Sequence, residues 1–315
     1  MQRIAMAALV AGAIGIAMAP IFVRLREPDF GRTAAAFWRL ALAWPFFLVL
    51  HLHGLRGDRA ESHALRMRDR LLLLIPGVFF AADLAVWHWS IDLTTVANAT
   101  LFANCAPIVV SLVAWLWLKE RLRPVFAGGL ACALAGVVLV VRSSAGAEEV
   151  ASVKGDLLGL LTAVFYASYQ LSVKKLRGRF STSAIMAWAI PSACAVLLVV
   201  SLASHEVIIA RTVNGWLVLI GLAVICQIGG QGLIAFALAH LPASFSSVSL
   251  LVQPIAAALF AWVIFAEALG PLQAVGGALV LGGIVLARQG SRERATANAP
   301  HHGGTEDTEH GNDTT

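Results

Sequence analysis

Charge is scarce in this sequence. Asp, Glu, Lys and Arg make up 13% of its 315 residues, against 59% hydrophobic residues and a mean hydropathy of +0.79. A soluble fold of this size cannot bury so much apolar surface, so the composition excludes a water-soluble domain and implies a chain dissolved in a lipid bilayer. Cysteine is thin too: Cys105, Cys132, Cys194 and Cys226 stand singly in apolar runs, with no CxxC and no neighbouring His pair. They read as small buried hydrophobes, not as a metal or redox site. No Walker motif, zinc-ligand pair or nucleophile elbow occurs, so ATP hydrolysis and soluble-type enzymology have no support and no cofactor or metal is expected. The formal charge of +5 and the nine Trp fit basic loops and interfacial anchors, and give no reason to expect nucleic acid as a partner.

What is present is apolar runs of membrane-spanning length. A hydrocarbon core of about 30 Å needs roughly 20 such residues per helix. Runs of this kind lie at 4–23, 34–52, 71–91, 96–118 and 125–141, then at 156–173, 183–203, 216–238, 244–265 and 271–287. A polar connection, 142–154, divides two sets of five, residues 1–141 and 155–288. The first run also has the look of a secretory signal, with Arg3, an apolar core and Ala17-Met18-Ala19, but Pro20 directly after that site argues against cleavage. From Gln289 to Thr315 the chain turns polar without periodicity, and a disordered cytoplasmic tail is expected there, with His301, His302 and His310 solvated.

The two sets repeat. Pro107-Ile108, Ala114-Trp115, Glu120, Leu122, Pro124, Gly129 and Gly136 recur 147 residues later as Pro254-Ile255, Ala261-Trp262, Glu267, Leu269, Pro271, Gly276 and Gly283. An odd number of spans per copy makes the second copy enter the membrane from the opposite side, so the repeats are inverted. Basic residues agree. Arg3, the arginines of 56–70, Lys119, Arg121, Arg123, the cluster at 174–179 and Arg288, Arg292 and Arg294 fall on the side of the N-terminus. The other side holds only Arg24, Arg26, Arg32, Arg142, Lys154 and Arg211. By the positive-inside rule both termini are cytoplasmic in a multi-pass protein of a bacterial-type inner (plasma) membrane. The turn Lys119-Glu120-Arg121 becomes Ala266-Glu267-Ala268 in the inverted copy, where it should face outside.

The segment 89–141, with Ala-Pro-Ile-Val-Val, Leu-Lys-Glu-Arg-Leu and a Gly-rich helix, resembles the repeat unit of the EamA-type transporters of the drug/metabolite transporter superfamily. Residues 240–288 resemble it again, and the likeness runs over about residues 4–288. The resemblance implies an all-α solute carrier of ten transmembrane helices in two inverted five-helix repeats around a central cavity. Its cargo would be a small molecule, usually an amino acid, a nucleotide-like metabolite or a drug, usually exported. The frame supports transport without choosing the cargo.

Ionisable side chains at membrane depth cost about 2.5 to 3.5 kcal/mol on insertion scales, so each is a candidate for function. Asp83 shares a helical face with Phe79, Trp87 and Ser90. It reads as a cavity wall that binds a solute or takes up a proton, or as an ion pair with Arg39 or His88. Arg39 could meet Asp83 or a substrate carboxylate, but its place near the span start predicts a stem that snorkels to the headgroups. His88, beside Trp87 and Trp89, is expected at the interface.

Thr100, Asn104, Pro107 and Ser111 form a polar stripe in the fourth span, and Pro254 stands beside Ser246, Ser249 and Gln253 in the ninth. A proline frees a backbone carbonyl one turn earlier, so matched breaks at Pro107 and Pro254 mark hinges and a wet site between halves; a packing kink is the alternative. Tyr166 with Gln170, and Gln227 with Gln231, share faces in the sixth and eighth spans and could line that site or bond across helices. The third, fourth, eighth and ninth spans are expected to wall it. Glu120 and Glu267 are expected to cap the helices that follow them. Gly128, Gly129, Gly136, Gly276, Gly277, Gly282 and Gly283 should let helices approach closely, inside each half or at a homodimer seam. An intramembrane enzyme acting on a lipid or isoprenoid head group would need more converging ionisable groups. A non-transporting scaffold would need a dry interior.

Overall fold

The computed structural model describes residues 1–25, 30–56, 66–94, 96–120, 122–143, 152–266 and 270–291. The tail from residue 292, Glu267 and most of the 142–154 connection lie outside them. Among the described residues the chain is all helix and turn. The first span is α1 (Gln2–Ala17) and α2 (Ala19–Leu25). The second is α3 (Arg32–Arg56), the third α4 (Met67–Leu93), the fourth α5 (Val96–Ala103) with α6 (Ala106–Leu116), and the fifth α7 (Pro124–Ser143). The sixth is α8 (Val153–Leu176) and the seventh α9 (Thr182–Ala203). The eighth runs α10 (Val213–Gly221), a π-helix (Leu222–Gln231) and α11 (Gly232–Leu238). The ninth is α12 (Ala243–Ser249) with α13 (Val252–Phe265), and the tenth α14 (Pro271–Ser291).

Nine of these spans are long and apolar enough to cross a membrane. The remaining one, the sixth span α8, has the length, 24 residues, but carries Tyr166, Ser168, Tyr169, Gln170 and Ser172 in its second half. One face of α8 packs against α4, α5 and α6 and buries Tyr169 and Gln170, while Leu157, Leu160, Leu161 and Val164 are exposed on the other. Starts are set locally. Pro124 and Pro271 open α7 and α14, where a missing N–H is harmless. The hydroxyls of Ser181 and Thr212 accept from the N–H groups of Ala184 and Gly215 at 3.2 and 3.0 Å. α14 continues to Ser291, a few residues past the expected end of the tenth span.

The halves interlock. The third span packs on the sixth and seventh, and the eighth packs on the first and second, as exchange of the halves requires. At the α7–α14 crossing Gly129 lies against Gly283 and Gly136 against Gly276. Partner numbers fall in α14 as they rise in α7, so the helices are antiparallel. Since Gly129 matches Gly276 and Gly136 matches Gly283, the two contacts are images of one another. Only a two-fold axis across the helix axes does this, which is the inversion expected from the odd span count.

The apolar core gathers Leu9, Leu40, Leu73, Ile185, Leu197, Ile234 and Leu238, drawn from both halves. The first run belongs to this core through Leu9 and Ala13, as a span does. Large apolar side chains also cover the outside: Leu112, Trp115, Val199 and Val263 are 53 to 71% exposed, a surface suited to acyl chains.

Candidate functional site

Two helix breaks meet at the centre. α5 ends at Ala103 and α6 begins at Ala106; α12 ends at Ser249 and α13 begins at Val252. Around the breaks the ladder tightens, with the N–H of Cys105 donating to the Phe102 carbonyl and that of Leu251 to Val248, at 3.0 and 3.1 Å. Asn104 and Leu251 are 147 residues apart, so the breaks are equivalent, each three residues before its proline. The proline disrupts the preceding turn, and the loosened backbone faces a shared cavity.

That cavity is lined by Ala103, Asn104, Pro107, Tyr166, Gln170, Ser247, Leu250, Leu251 and Gln253 and encloses about 20 Å³. This is room for about one water molecule and not for a metabolite. Its walls are the fourth, sixth and ninth spans. The third and eighth spans, expected as walls, lie one layer back, behind Tyr166. The Tyr166 hydroxyl is within reach of the Gln231 and Gln253 amides and is an electrostatic neighbour of Asp83 and Arg39.

The polar layer is incompletely paired. Both amide atoms of Gln170, the Gln231 oxygen and the Gln253 nitrogen are buried without a hydrogen-bond partner, as are the hydroxyls of Ser111 and Ser247. Native interiors hold few such groups, and each calls for a ligand, water or movement to satisfy it. Gln227 is satisfied: its Oε1 accepts from Arg39 Nε at 3.1 Å. It sits in the π-helix, a winding rare in proteins and concentrated at functional sites.

Other sequence candidates divide. Asp83 is buried on α4 and Trp87 is half-buried beside His88. Asn104 spends its amide on the Thr100 carbonyl at 2.7 Å, so Thr100 serves the break through its backbone. Ser246 and Ser249 donate to Pro242 and Phe245 one turn back, which leaves Ser247 to face the cavity in place of Ser246. Ser90 bonds the Gly155 carbonyl and serves packing on α8.

Three expectations need correction. Arg39 does not snorkel: it is 7% exposed, clamped by Gln227, with its guanidinium 5.8 Å from the Phe80 ring centre. Its span begins earlier than the apolar run suggests, at Arg32, which sets Arg39 two turns deep. His88 is buried within the bundle, not interfacial. Glu120 does not cap α7. It reaches across the halves to α12, accepting from the N–H groups of Ala243 and Ser244 at 2.9 and 3.3 Å and from the Ser244 hydroxyl. Those amides have no helical acceptor of their own, so the carboxylate fills an open position.

A family model for EamA-like transporters matches residues 3–142 and again 153–289. The chain belongs to the EamA-like transporter family. The double match shows the duplication and places this family member among multi-pass membrane transporters. The pseudopaline exporter CntI of Pseudomonas aeruginosa is 27% identical over 71% of this chain and 76% of its own length. An uncharacterized transporter of Archaeoglobus fulgidus is 24% identical over 84% of this chain and 91% of its own. Mouse solute carrier family 35 member G1 matches a shorter stretch, 35% identical over 24% of this chain and 20% of its own. One solved crystal structure has the same fold, with a TM-score of 0.76 at 17% identity, covering 93% of this chain and 100% of that one.

Proposed function

We propose that this family member is a secondary transporter that exports a small metabolite across a bacterial-type inner membrane by alternating access, with both termini in the cytoplasm. One observation supports this above the others: equivalent broken helices from two inverted halves meet at a small cavity whose buried amides lack partners. Exchange of the halves' conformations would open the same cavity to either face. Pseudopaline export by the Pseudomonas relative supports the outward direction.

The substrate site on this reading comprises Asn104, Tyr166, Gln170, Ser247 and Gln253 at the cavity, with Asp83, Trp87, Gln227 and Gln231 behind it. Pro107 and Pro254 are the hinges. Asp83 is the proton carrier if a proton gradient drives the cycle, because it is the buried carboxylate nearest the site.

The test is thiol accessibility. In a chain with Cys105, Cys132, Cys194 and Cys226 replaced, Asn104→Cys and Gln253→Cys should each react with a water-soluble maleimide, and a transported solute should protect both. Failure of either position to react from any aqueous side would refute a central wet site.

A further inference from the structure

Two observations converge on a ligand group. First, Arg39 and Asp83 are the buried members among the described Asp, Glu, Lys and Arg side chains, 7% and 8% exposed, one from the second span and one from the third. They are electrostatic neighbours, yet neither forms an ion pair within 4 Å among the described residues. Second, the Arg39 fork is half used. Nε is fixed by Gln227, which sets the plane of the guanidinium, while Nη2 is buried with no acceptor. A planar cation held rigid with an empty donor edge matches a carboxylate, which accepts from two N–H groups in that plane.

The surrounding groups say what the rest of the ligand should be. Gln231 Oε1 and Gln170 Oε1 are buried acceptors without donors, Gln170 Nε2 and Gln253 Nε2 are buried donors without acceptors, and the Asp83 carboxyl lies nearby. The two oxygens call for a donor on the ligand, where the Arg39 edge and the two amide nitrogens call for an acceptor. Tyr166 lines the cavity and is within reach of Gln231 and Gln253, so its ring links this layer to the cavity.

We propose that Arg39 is the anion anchor of the transport site, and that the cargo is a small solute bearing a carboxylate together with a hydrogen-donating group such as an ammonium. This rests on the transport reading and narrows it. Arg39 would repel a solute that is only cationic, so simple amines and quaternary drugs are excluded as cargo.

Paired probes test it. The purified full chain, in detergent and in proteoliposomes, is offered α-amino acids, simple mono- and dicarboxylates, and for each acid its primary amide and its decarboxylated analogue. Thermal stabilisation and counterflow are read for wild type, Arg39→Lys and Arg39→Gln. Stabilisation and counterflow should favour an acid over its amide and its amine by about tenfold in apparent affinity. That preference should weaken in Arg39→Lys and vanish in Arg39→Gln. Equal or better response to the amides or amines overturns the anchor, as does no response to any acid, or a preference that survives in Arg39→Gln. Were Arg39→Gln not to fold, the wild-type comparison and Arg39→Lys decide the matter alone. The two readings fail separately: binding that discriminates without any counterflow refutes transport, and counterflow of amines without discrimination refutes the anchor.

Discussion

The α7–α14 crossing and the polar centre both lie on the two-fold relation between the halves, and they are built in opposite ways. At the crossing, backbone meets backbone: a Cβ on Gly129 would come 2.4 Å from the Ala287 nitrogen, and one on Gly136 would come 2.5 Å from the Gly276 oxygen. Phe126, Val137, Val141 and Val280 fill the space around it. At the centre, helices break, amides go unpaired and a small cavity remains. Close-packed backbone cannot deform by degrees, while broken helices with unmet polar groups have more than one arrangement of similar energy. On the transport reading the crossing would act as an axle, and the centre would be what changes.

Breaking the axle should have the largest effect. Gly283→Val places its Cβ about 2.5 Å from the backbone of Ala133 and Gly129, which no side-chain rotation relieves. The overpacking cost is ~3 kcal/mol or more, and loss of monodisperse protein on gel filtration is expected. Gly282→Val, one residue away, points into open space and should leave the melting temperature unchanged. A destabilised Gly282→Val would reveal a second copy packed there. The seven glycines of the sequence motif thus divide: Gly129, Gly136, Gly276 and Gly283 join the halves of one chain, and Gly128, Gly277 and Gly282 do not, Gly277 meeting only Ile255 of its own half.

Next in size is the charge at the centre. Asp83→Asn should abolish solute movement driven by a pH gradient while leaving solute exchange intact, measured in proteoliposomes. Gradient-driven movement at the wild-type rate would remove Asp83 from coupling. A smaller effect of the opposite sign on stability is expected from Gln170→Leu. The change deletes two unpaired buried polar atoms and should raise stability by about 1 kcal/mol, while weakening solute protection of a cysteine at position 253. Stability and transport moving together would argue that Gln170 is simply a helix-packing residue.

Much of this plan was legible because it is written locally or by repetition. Length and hydropathy set the spans, Pro107 and Pro254 the breaks, and the 147-residue echo the two halves. The sixth span was legible as a helix whose Tyr166 and Gln170 could line the site, but it was not among the expected walls, since such a pair equally suits bonding across helices. Arg39 and Glu120 were misjudged for a common reason. Each acts on a residue far along the chain, Gln227 and Ala243, and no local pattern announces a partner across the halves. The π-helix at Leu222–Gln231, which packs against α1 and α3, was equally silent, because no local pattern in its sequence marks that winding.

The finest comparison is between two clasps. Glu120, after the fourth span, holds the start of α12, whose side chain Ser247 and following break line the cavity. Glu206, after the seventh span, holds the start of α3 through the N–H groups of Thr33 and Ala34 at 3.2 and 2.9 Å, with Ser201 as a further donor. Four spans against seven puts them on opposite faces of the membrane. Glu120→Gln keeps one acceptor oxygen but removes the charge and presents an amide to donors, a loss of about 1 kcal/mol. In a two-state equilibrium that is about a fivefold shift toward the state open on the Glu120 side. A thiol at Ser247, in the cysteine-replaced chain, should then react faster with a membrane-impermeant reagent added on that face. Glu206→Gln loosens the other face and should slow the same reaction. Rates unmoved by either change would mean that the clasps fix helix ends and take no part in the exchange, and the axle would then carry the symmetry alone.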